Sequence, residues 1–210
     1  MRTVSDPRTA LVGRGYDAMV DTWEAWSAQI EDDPRHEWAT DLASRLDDGA
    51  RVLELGCGGG TLETRELAAR FRLTGVDLSE RQLERARERV PDAEFVHGDL
   101  TAIDFADASF EAVVAFYSFN HVPRELLAPT FARIHRWLVP GGWFMASLGA
   151  SDLDGWTGDF LGAPSFFSGF APETNARLVR EAGFELVRDE VVSITEPEGP
   201  TTFHWMLARR

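Results

Sequence analysis

The run "RVLELGCGGG" occupies Arg51 to Gly60 and is followed by Thr61. An apolar stretch ending in an acid and then a glycine-rich turn can bring backbone close to a ligand, because no Cβ stands in the way. A phosphate, a dinucleotide or a ligand without phosphate would each suit such a turn. Gly56 and Gly58 fill the first two places of the dinucleotide pattern G-x-G-x-x-G, but the third falls on Thr61. Gly60 instead gives G-x-G-x-G, with Glu54 just ahead of it. Asp77 lies 19 positions beyond Gly58, where a carboxylate can accept from both hydroxyls of a ribose. That placement indicates an adenosine-like ligand more than NAD itself. Asp99, one strand further on, is placed to meet an adenine edge. Taken singly, each acid is equally a turn or helix-cap residue.

The rest of the composition narrows the ligand. All 21 basic residues are arginine. A P-loop needs a lysine after its glycines and a pyridoxal enzyme needs one for its Schiff base, so both chemistries are excluded. The formal charge of -14, from 35 acids against 21 bases, sets the average field against nucleic acid and anionic membranes. Arg81, Arg85, Arg87 and Arg89 cluster on one helix, but their alternation with Glu84 and Glu88 reads as a solvated, salt-bridged face. Cys57 is the single cysteine, which allows neither an internal disulfide nor a thiolate zinc cluster and suits a reducing compartment. The first twenty residues lack an uninterrupted apolar segment, and no run of about 18 apolar residues occurs. A cytoplasmic protein with no membrane span is the expectation.

These groups need elements to position them. A chain of 210 residues supports one sizeable core with a short accessory segment. The first ten residues read as loose, and apolar residues from Tyr16 to Leu46 recur at helical spacing, predicting two or three helices. Strands then alternate with helices: "RVLEL", "RLTGVD", "AEFVHGD", "FEAVVAFYSF" and "GGWFMASLG", followed by a helix from Pro172 to Ala182 and two closing strands around "TEPEGPT". Ser79 and Gln82 match a capping box, Pro123 suits a first helical turn, and Gly183 a helix stop. The pattern predicts an α/β sheet covered on both faces. Ligands of such sheets sit at the C-terminal strand ends, where chain order reverses. The glycine turn, Asp77, Asp99, the run Phe116 to His121 and the segment after Leu148 all fall at those ends.

In their order and placement, "VLELGCGGG", "GVDLS", "FVHGDL", "FEAVVAFYSFNHVP" and "LVPGGWFMASL" resemble the motifs of the class I S-adenosylmethionine-dependent methyltransferases, especially the small-molecule members of the methyltransferase type 11 group. The resemblance covers most of Arg51 to Leu148. It implies a Rossmann-like, seven-stranded, mostly parallel sheet in the order 3-2-1-4-5-7-6 with the last strand antiparallel. Residues 1–46 would form an N-terminal helical cap on a core of residues 47–210, which includes a substrate-facing loop at 149–171. Glu54 and the backbone of Gly56 to Gly60 would meet the methionine part of S-adenosyl-L-methionine. Asp77 would bind the ribose, Leu78 the adenine, Asp99 and Leu100 would complete the adenine site, and Phe116 would line the junction with the acceptor. Tyr16 and Trp23 become candidates for closing over the cofactor, with plain packing an equal reading of Trp23. Cys57, the remaining side chain of the turn, reads as a small packing residue. A sulfonium cofactor without pyrophosphate suits a site with acids and aromatic rings and no lysine.

Methyl transfer asks for an acceptor lone pair in line with sulfur and methyl carbon, and for a base if the nucleophile is a hydroxyl or a protonated amine. His121, after a buried strand and before Pro123, is the first candidate for that base, although the same place suits a structural histidine. Tyr117 and Asn120 are secondary candidates for orienting an acceptor. His204, beside Trp205 in the final strand, faces either the core or the pocket. The stretch "GASDLDGWTGDFLGAPSFFSGFAPET" supplies Trp156, Phe160, Phe166, Phe167 and Phe170, either as pocket wall or as anchors of a surface loop. As pocket wall they point to a small, partly apolar or aromatic acceptor. Asp152, Asp154 and Asp159 have no ligand-like spacing, and no metal is expected. Related reactions remain open for such a chain: cyclisation, cofactor binding without turnover, or NAD-linked oxidoreduction, the last disfavoured by Thr61.

Overall fold

The computed structural model describes residues 6–210. Three helices come first: α1 (Pro7–Ala18), α2 (Val20–Ser27) and α3 (Arg35–Ala43). Then β1 (Arg51–Leu55), α4 (Leu62–Arg70), β2 (Arg72–Asp77), α5 (Glu80–Arg89), β3 (Glu94–His97) and β4 (Phe110–Ala115) alternate. Helix α6 (Arg124–Trp137), β5 (Leu138–Gly149), β6 (Leu153–Phe160), β7 (Ala163–Gly169), α7 (Pro172–Glu181), β8 (Glu185–Glu196) and β9 (Gly199–Arg209) complete the chain.

Seven strands form one sheet in the order β3-β2-β1-β4-β5-β9-β8. Pairings through β5 are parallel, whereas β9 runs antiparallel to both β5 and β8. This is the expected 3-2-1-4-5-7-6 order, with β8 and β9 as its sixth and seventh strands. Strand β1 sits between two parallel neighbours, which is why "VLEL" is buried throughout. Its alternation divides the core. Leu53 and Leu55 pack with Phe131, Trp137 and Val179 beneath α6 and α7. Val52 packs on the other face with Leu67 of α4, Trp38 and Leu42 of α3, and Trp205. Helix α3 thus covers the sheet, while α1 and α2 lie nearer the strand ends.

Two local expectations change. Residues 1–5 of the segment expected to be loose lie outside the described residues, but helix α1 already starts at Pro7. Asp6 accepts from Arg8 N at 2.8 Å as its N-cap, and proline at the first position supplies a preset φ. The expected loop at 149–171 is largely a two-stranded sheet of β6 and β7. Its turn residues Leu161 and Gly162 both have positive φ, +54° and +82°, the geometry that matches hairpin twist.

Helix α1 carries Gly13 and Gly15, which lower helix propensity but permit close contact. A Cβ on Gly13 would meet Leu78 O at 3.0 Å, and one on Gly15 would meet Pro164 O at 2.4 Å. The arginine face of α5 is not simply solvated. Arg85 pairs with Asp21 and Glu24, and Arg89 donates to Glu24 at 2.6 Å, so α5 anchors α2. Asp17 of α1 accepts from Ser79 Oγ at 2.6 Å. A bridge between Glu31 and Thr195 ties the α2–α3 connection to β8.

Candidate active site

The sheet order reverses between β1 and β4, and their C-terminal ends open into a crevice. Gly56, Gly58 and Gly60 turn the chain there with φ of +77°, +54° and +74°. A Cβ on Gly56 would meet Ser118 Cβ at 2.5 Å, whereas one on Gly58 would point into open space. Asp77 Oδ2 accepts from Gly58 N and its Oδ1 from Ser79 N, both at 2.9 Å. Burial raises the Asp77 carboxyl above its ordinary value, and these backbone donors oppose the shift. Gly58, Asp77, Leu78, Leu100 and Phe116 border a cavity of about 140 Å³. Cys57 is on the same wall. Burial pushes its thiol well up, so it is an inert packing group.

Three residues expected at the cofactor lie behind this wall. Gly60 backs onto Ala86 of α5 and Val90 just beyond it, each 3.2 Å from where a Cβ would stand. Asp99 is buried and accepts from Thr9 Oγ1 and Thr101 Oγ1, each at 2.6 Å, so it ties α1 to the loop after β3. Glu54 points to the α4 side, where Oε1 accepts from Thr64 Oγ1 at 3.1 Å while Oε2 is buried without a partner. Burial pushes the Glu54 carboxyl up to about 8, against the pull of Thr64 and Arg35. In the unfolded chain it would ionise near 4.5, so folding takes up a proton between these values. This contribution to stability is complete below pH ~4.5 and is lost as pH rises to ~8. Glu54→Gln is therefore expected to melt higher than the parent at pH 8.5, by about 2–4 °C for each kcal/mol recovered. Scanning calorimetry at pH 5 and 8.5 checks this; an equal difference at both values would contradict it.

Tyr16, Trp23, Arg35, Tyr117 and His121 border both that cavity and a second one of about 190 Å³. His121 Nδ1 lies 2.8 Å from the carbonyl oxygen of Phe166, which can only accept. Nδ1 therefore carries the proton and Nε2 accepts, 3.0 Å from Tyr16 Oη. Burial lowers His121 to about 4, with the Phe166 hydrogen bond opposing. Burial likewise raises the Tyr16 phenol, so both groups are neutral near pH 7. Around the second cavity six rings make a closed circuit. Centroid separations are 5.4 Å for Tyr16–Trp23, 5.3 Å for Trp23–Trp26, 5.6 Å for Trp26–Phe160 and 5.2 Å for Phe160–Phe167. His121 closes it, at 4.5 Å from Phe167 and 5.4 Å from Tyr16.

The remaining candidates divide. Trp23, Phe160, Phe167 and Asn120 line the second cavity, and Asn120 Oδ1 is buried without a partner. Tyr117 lines it too, but its hydroxyl donates to Asp33 Oδ1 at 2.7 Å, and its backbone is left-handed at φ +54°. Four expected acceptor contacts lie off this wall. Trp156 shares the face of its cross-strand partner Phe167, with ring centroids 5.8 Å apart, but is exposed and does not border the cavity. Phe166 packs beneath Arg8, and Phe170 beneath Arg124 at 3.9 Å. His204 faces the α6–α7 side with Met206, and its Nε2 bonds Asp189, because alternation along β9 sends Phe203, Trp205 and Leu207 to the other face. Asp152 and Asp154 pair with Arg124, and Asp159 accepts from Gly162 N at 3.1 Å.

Sequence reasoning missed Arg35, Gln82, Trp26 and Glu196. Arg35 sits 5.0 Å over the Tyr117 ring and donates to Asp33 at 2.6 Å. Only the tertiary approach of the α2–α3 connection to β4 brings it there. Gln82 was legible solely as a cap. Its backbone N does bond Ser79 Oγ at 3.1 Å, but its side-chain Nε2 is buried, unpartnered, and the residue borders the first cavity.

Residues 52–142 match a family described as "Methyltransferase domain". The 27-O-demethylrifamycin SV methyltransferase of Amycolatopsis mediterranei is 32% identical over 220 aligned residues, spanning 92% of this chain and 72% of the relative. The chain belongs to the class I S-adenosylmethionine-dependent methyltransferases. Two solved structures share the fold of this methyltransferase at lower identity. One is the Burkholderia thailandensis 1,6-didemethyltoxoflavin-N1-methyltransferase with bound 1,6-didemethyltoxoflavin and S-adenosylhomocysteine, with TM-score 0.75, 23% identity, and coverage of 100% of this chain and 92% of that one. The other is the [4+2]-cyclase SpnF, with TM-score 0.75 and 20% identity, covering 99% and 98%. The first cavity has a lining that fits this cofactor. The space a Cβ would fill at Gly58 is open, Asp77 lines the same cavity, and Tyr16, Trp23 and Phe116 line it with rings that would suit a sulfonium. No helix among the described residues is long and apolar enough to cross a membrane.

Proposed function

We propose that the enzyme methylates a small, partly apolar or aromatic molecule held in the ring-lined cavity. The observation that carries this reading is the wall shared by the two cavities, where Tyr16, Trp23, Tyr117 and His121 belong to both. Asp77 would accept from the ribose hydroxyls with the lone pairs not used by Gly58 and Ser79. Leu78 and Leu100 would flank the adenine, the Gly56–Gly58 backbone would follow the methionine part, and Arg35 would face its carboxylate. S-Adenosylmethionine, when bound there, would supply an electrophilic methyl carried on a sulfonium and leave as a neutral thioether. The rings of α2 and of the β6–β7 hairpin exclude water and orient the acceptor. Tyr16 Oη would take the acceptor's proton as it passes its own to His121 Nε2. Burial disfavours an imidazolium at His121, and the loss of a positive charge nearby during transfer would lessen that penalty.

The test uses S-adenosylmethionine labelled on the methyl group, offered with phenols, amines, thiols and cell extract. Transfer of label to a small organic product is expected. Label confined to protein or nucleic acid would contradict the reading.

A further inference from the structure

The second cavity has an electrostatic character that its rings alone do not explain. Two charged residues border it, Arg35 and Glu196. Arg35 is already matched, by Asp33 at 2.6 Å and Glu63 at 4.0 Å. Glu196, at the end of β8, is half-buried and accepts from Thr201 Oγ1 at 2.6 Å. No arginine or histidine within salt-bridge distance faces it among the described residues, and burial holds its carboxyl above the usual range. Glu196 lines the same cavity as Tyr16 and Tyr117. Asn120 adds the unpartnered acceptor Oδ1 on the same wall.

A carboxylate set into an apolar wall without a cation is costly, and a ligand that brings the cation relieves that cost. The circuit Tyr16–Trp23–Trp26–Phe160–Phe167–His121 presents ring faces and edges around the same space, and aromatic faces attract ammonium groups. Hydrogen bonds fix the frame. Trp26 Nε1 donates to both Glu198 oxygens, at 3.0 and 2.9 Å, and Ser168 Oγ donates to Val122 O at 2.6 Å. The six rings thus come from the N-terminal helices, the β6–β7 hairpin and the turn after β4, and share one cavity with a single acid that has no salt-bridge partner among the described residues. A neutral acceptor would use the rings but leave Glu196 uncompensated.

We infer that this compartment is a cage for a cationic amine, so that the acceptor of this methyltransferase carries a protonated or quaternary nitrogen held between the ring circuit and Glu196. The inference rests on the proposed use of the cavity as the acceptor site. It does not require the held nitrogen to be the methylated atom. Adjacent positive charges on acceptor and cofactor would repel, and Glu196 on one side with Asp77 on the other offsets this.

The test uses the full chain saturated with S-adenosylhomocysteine and isothermal titration calorimetry with two matched pairs. They are choline against 3,3-dimethylbutan-1-ol, and 2-phenylethylamine against 2-phenylethanol. At least one cation is expected to bind roughly tenfold or more tightly than its neutral counterpart. Glu196→Gln should erase most of that preference while leaving affinity for the neutral partner and for S-adenosylhomocysteine as in the parent. Equal binding within both pairs, binding of no cation, or a preference that survives in Glu196→Gln would overturn the cage. S-Adenosylhomocysteine affinity is read first in the same experiment. Its absence would refute the cofactor site instead, while its presence with failed cation selectivity would refute the cage alone.

Discussion

Asp77→Ala is expected to weaken S-adenosylmethionine binding by about 100-fold or more. Two ribose hydroxyls would donate to this carboxylate, and hydrogen bonds to a charged group are worth about 1.5–3 kcal/mol each. Their combined loss corresponds to that factor or a larger one. The same substitution removes the acceptors of Gly58 N and Ser79 N, which hold the glycine turn against the start of α5. Asp77→Asn separates the two effects, since its amide retains an acceptor for the turn but presents a donor to one hydroxyl. An intermediate loss, on the order of tenfold, is expected there. Calorimetric titration with cofactor, beside a melting curve to show that each variant folds, makes the measurement. Unchanged affinity in a folded Asp77→Ala would move the nucleoside out of this crevice.

His121→Ala is expected to lower kcat for a hydroxyl or protonated amine acceptor by about 10²–10³, the range supplied by a positioned proton acceptor. Tyr16→Phe should fall similarly, because it keeps the ring and removes only the hydroxyl that reaches Nε2 at 3.0 Å. Combining the two changes should cost little more than either alone if they act as a unit. Neither removes a group assigned to the ribose, so cofactor affinity should stay within about threefold of the parent. The pH profile separates this role from a structural one. Nε2 must be unprotonated to accept, and burial lowers His121 from 6.5 to about 4. The acid limb of turnover should therefore persist through pH 5 and bend near 4. A limb bending at about 6.5, or equal losses of turnover and cofactor binding, would assign His121 to the frame of the site.

The same shift acts on stability. The unfolded chain protonates His121 at higher pH than the folded chain does, so its contribution is complete above pH ~6.5 and is lost as pH falls toward ~4. Glu54 acts in the opposite direction, with folded ionisation near 8. The two windows overlap between about pH 4.5 and 6.5, where the two groups change stability in opposite directions.

The sheet was legible because local signals agreed with one another. The buried run Val52–Leu55, the turn after it, and Asp77 at the end of the next strand all belong to adjacent segments whose periodicity states their pairing. The glycine turn was equally open to reading, since positive φ at Gly56 and Gly58 is a requirement that glycine meets readily. The acceptor side was only partly legible. Aromatic supply after Leu148 was evident, but which rings face inward depends on hairpin register. Phe167 pairs with Trp156 across β6–β7, and Phe166 with Thr157, so neighbouring phenylalanines point to opposite faces. Trp26 and Glu196 lie far apart in sequence and border one cavity because α2 approaches the β8–β9 turn, where Trp26 Nε1 donates to Glu198, which no local pattern encodes. His121 was found by residue type, while its fixed tautomer and its partner Tyr16 depend on packing across 105 positions.

One crevice at the β1–β4 switch point would hold the nucleoside, and it shares a wall with the ring-lined acceptor cavity. A crystal structure with S-adenosylhomocysteine tests it most directly. Both ribose hydroxyls are expected within hydrogen-bond distance of Asp77, the homocysteine chain along Gly56–Gly58, and the sulfur facing the wall shared by Tyr16 and His121. A nucleoside bound away from Asp77, or a sulfur turned from that wall, would contradict it.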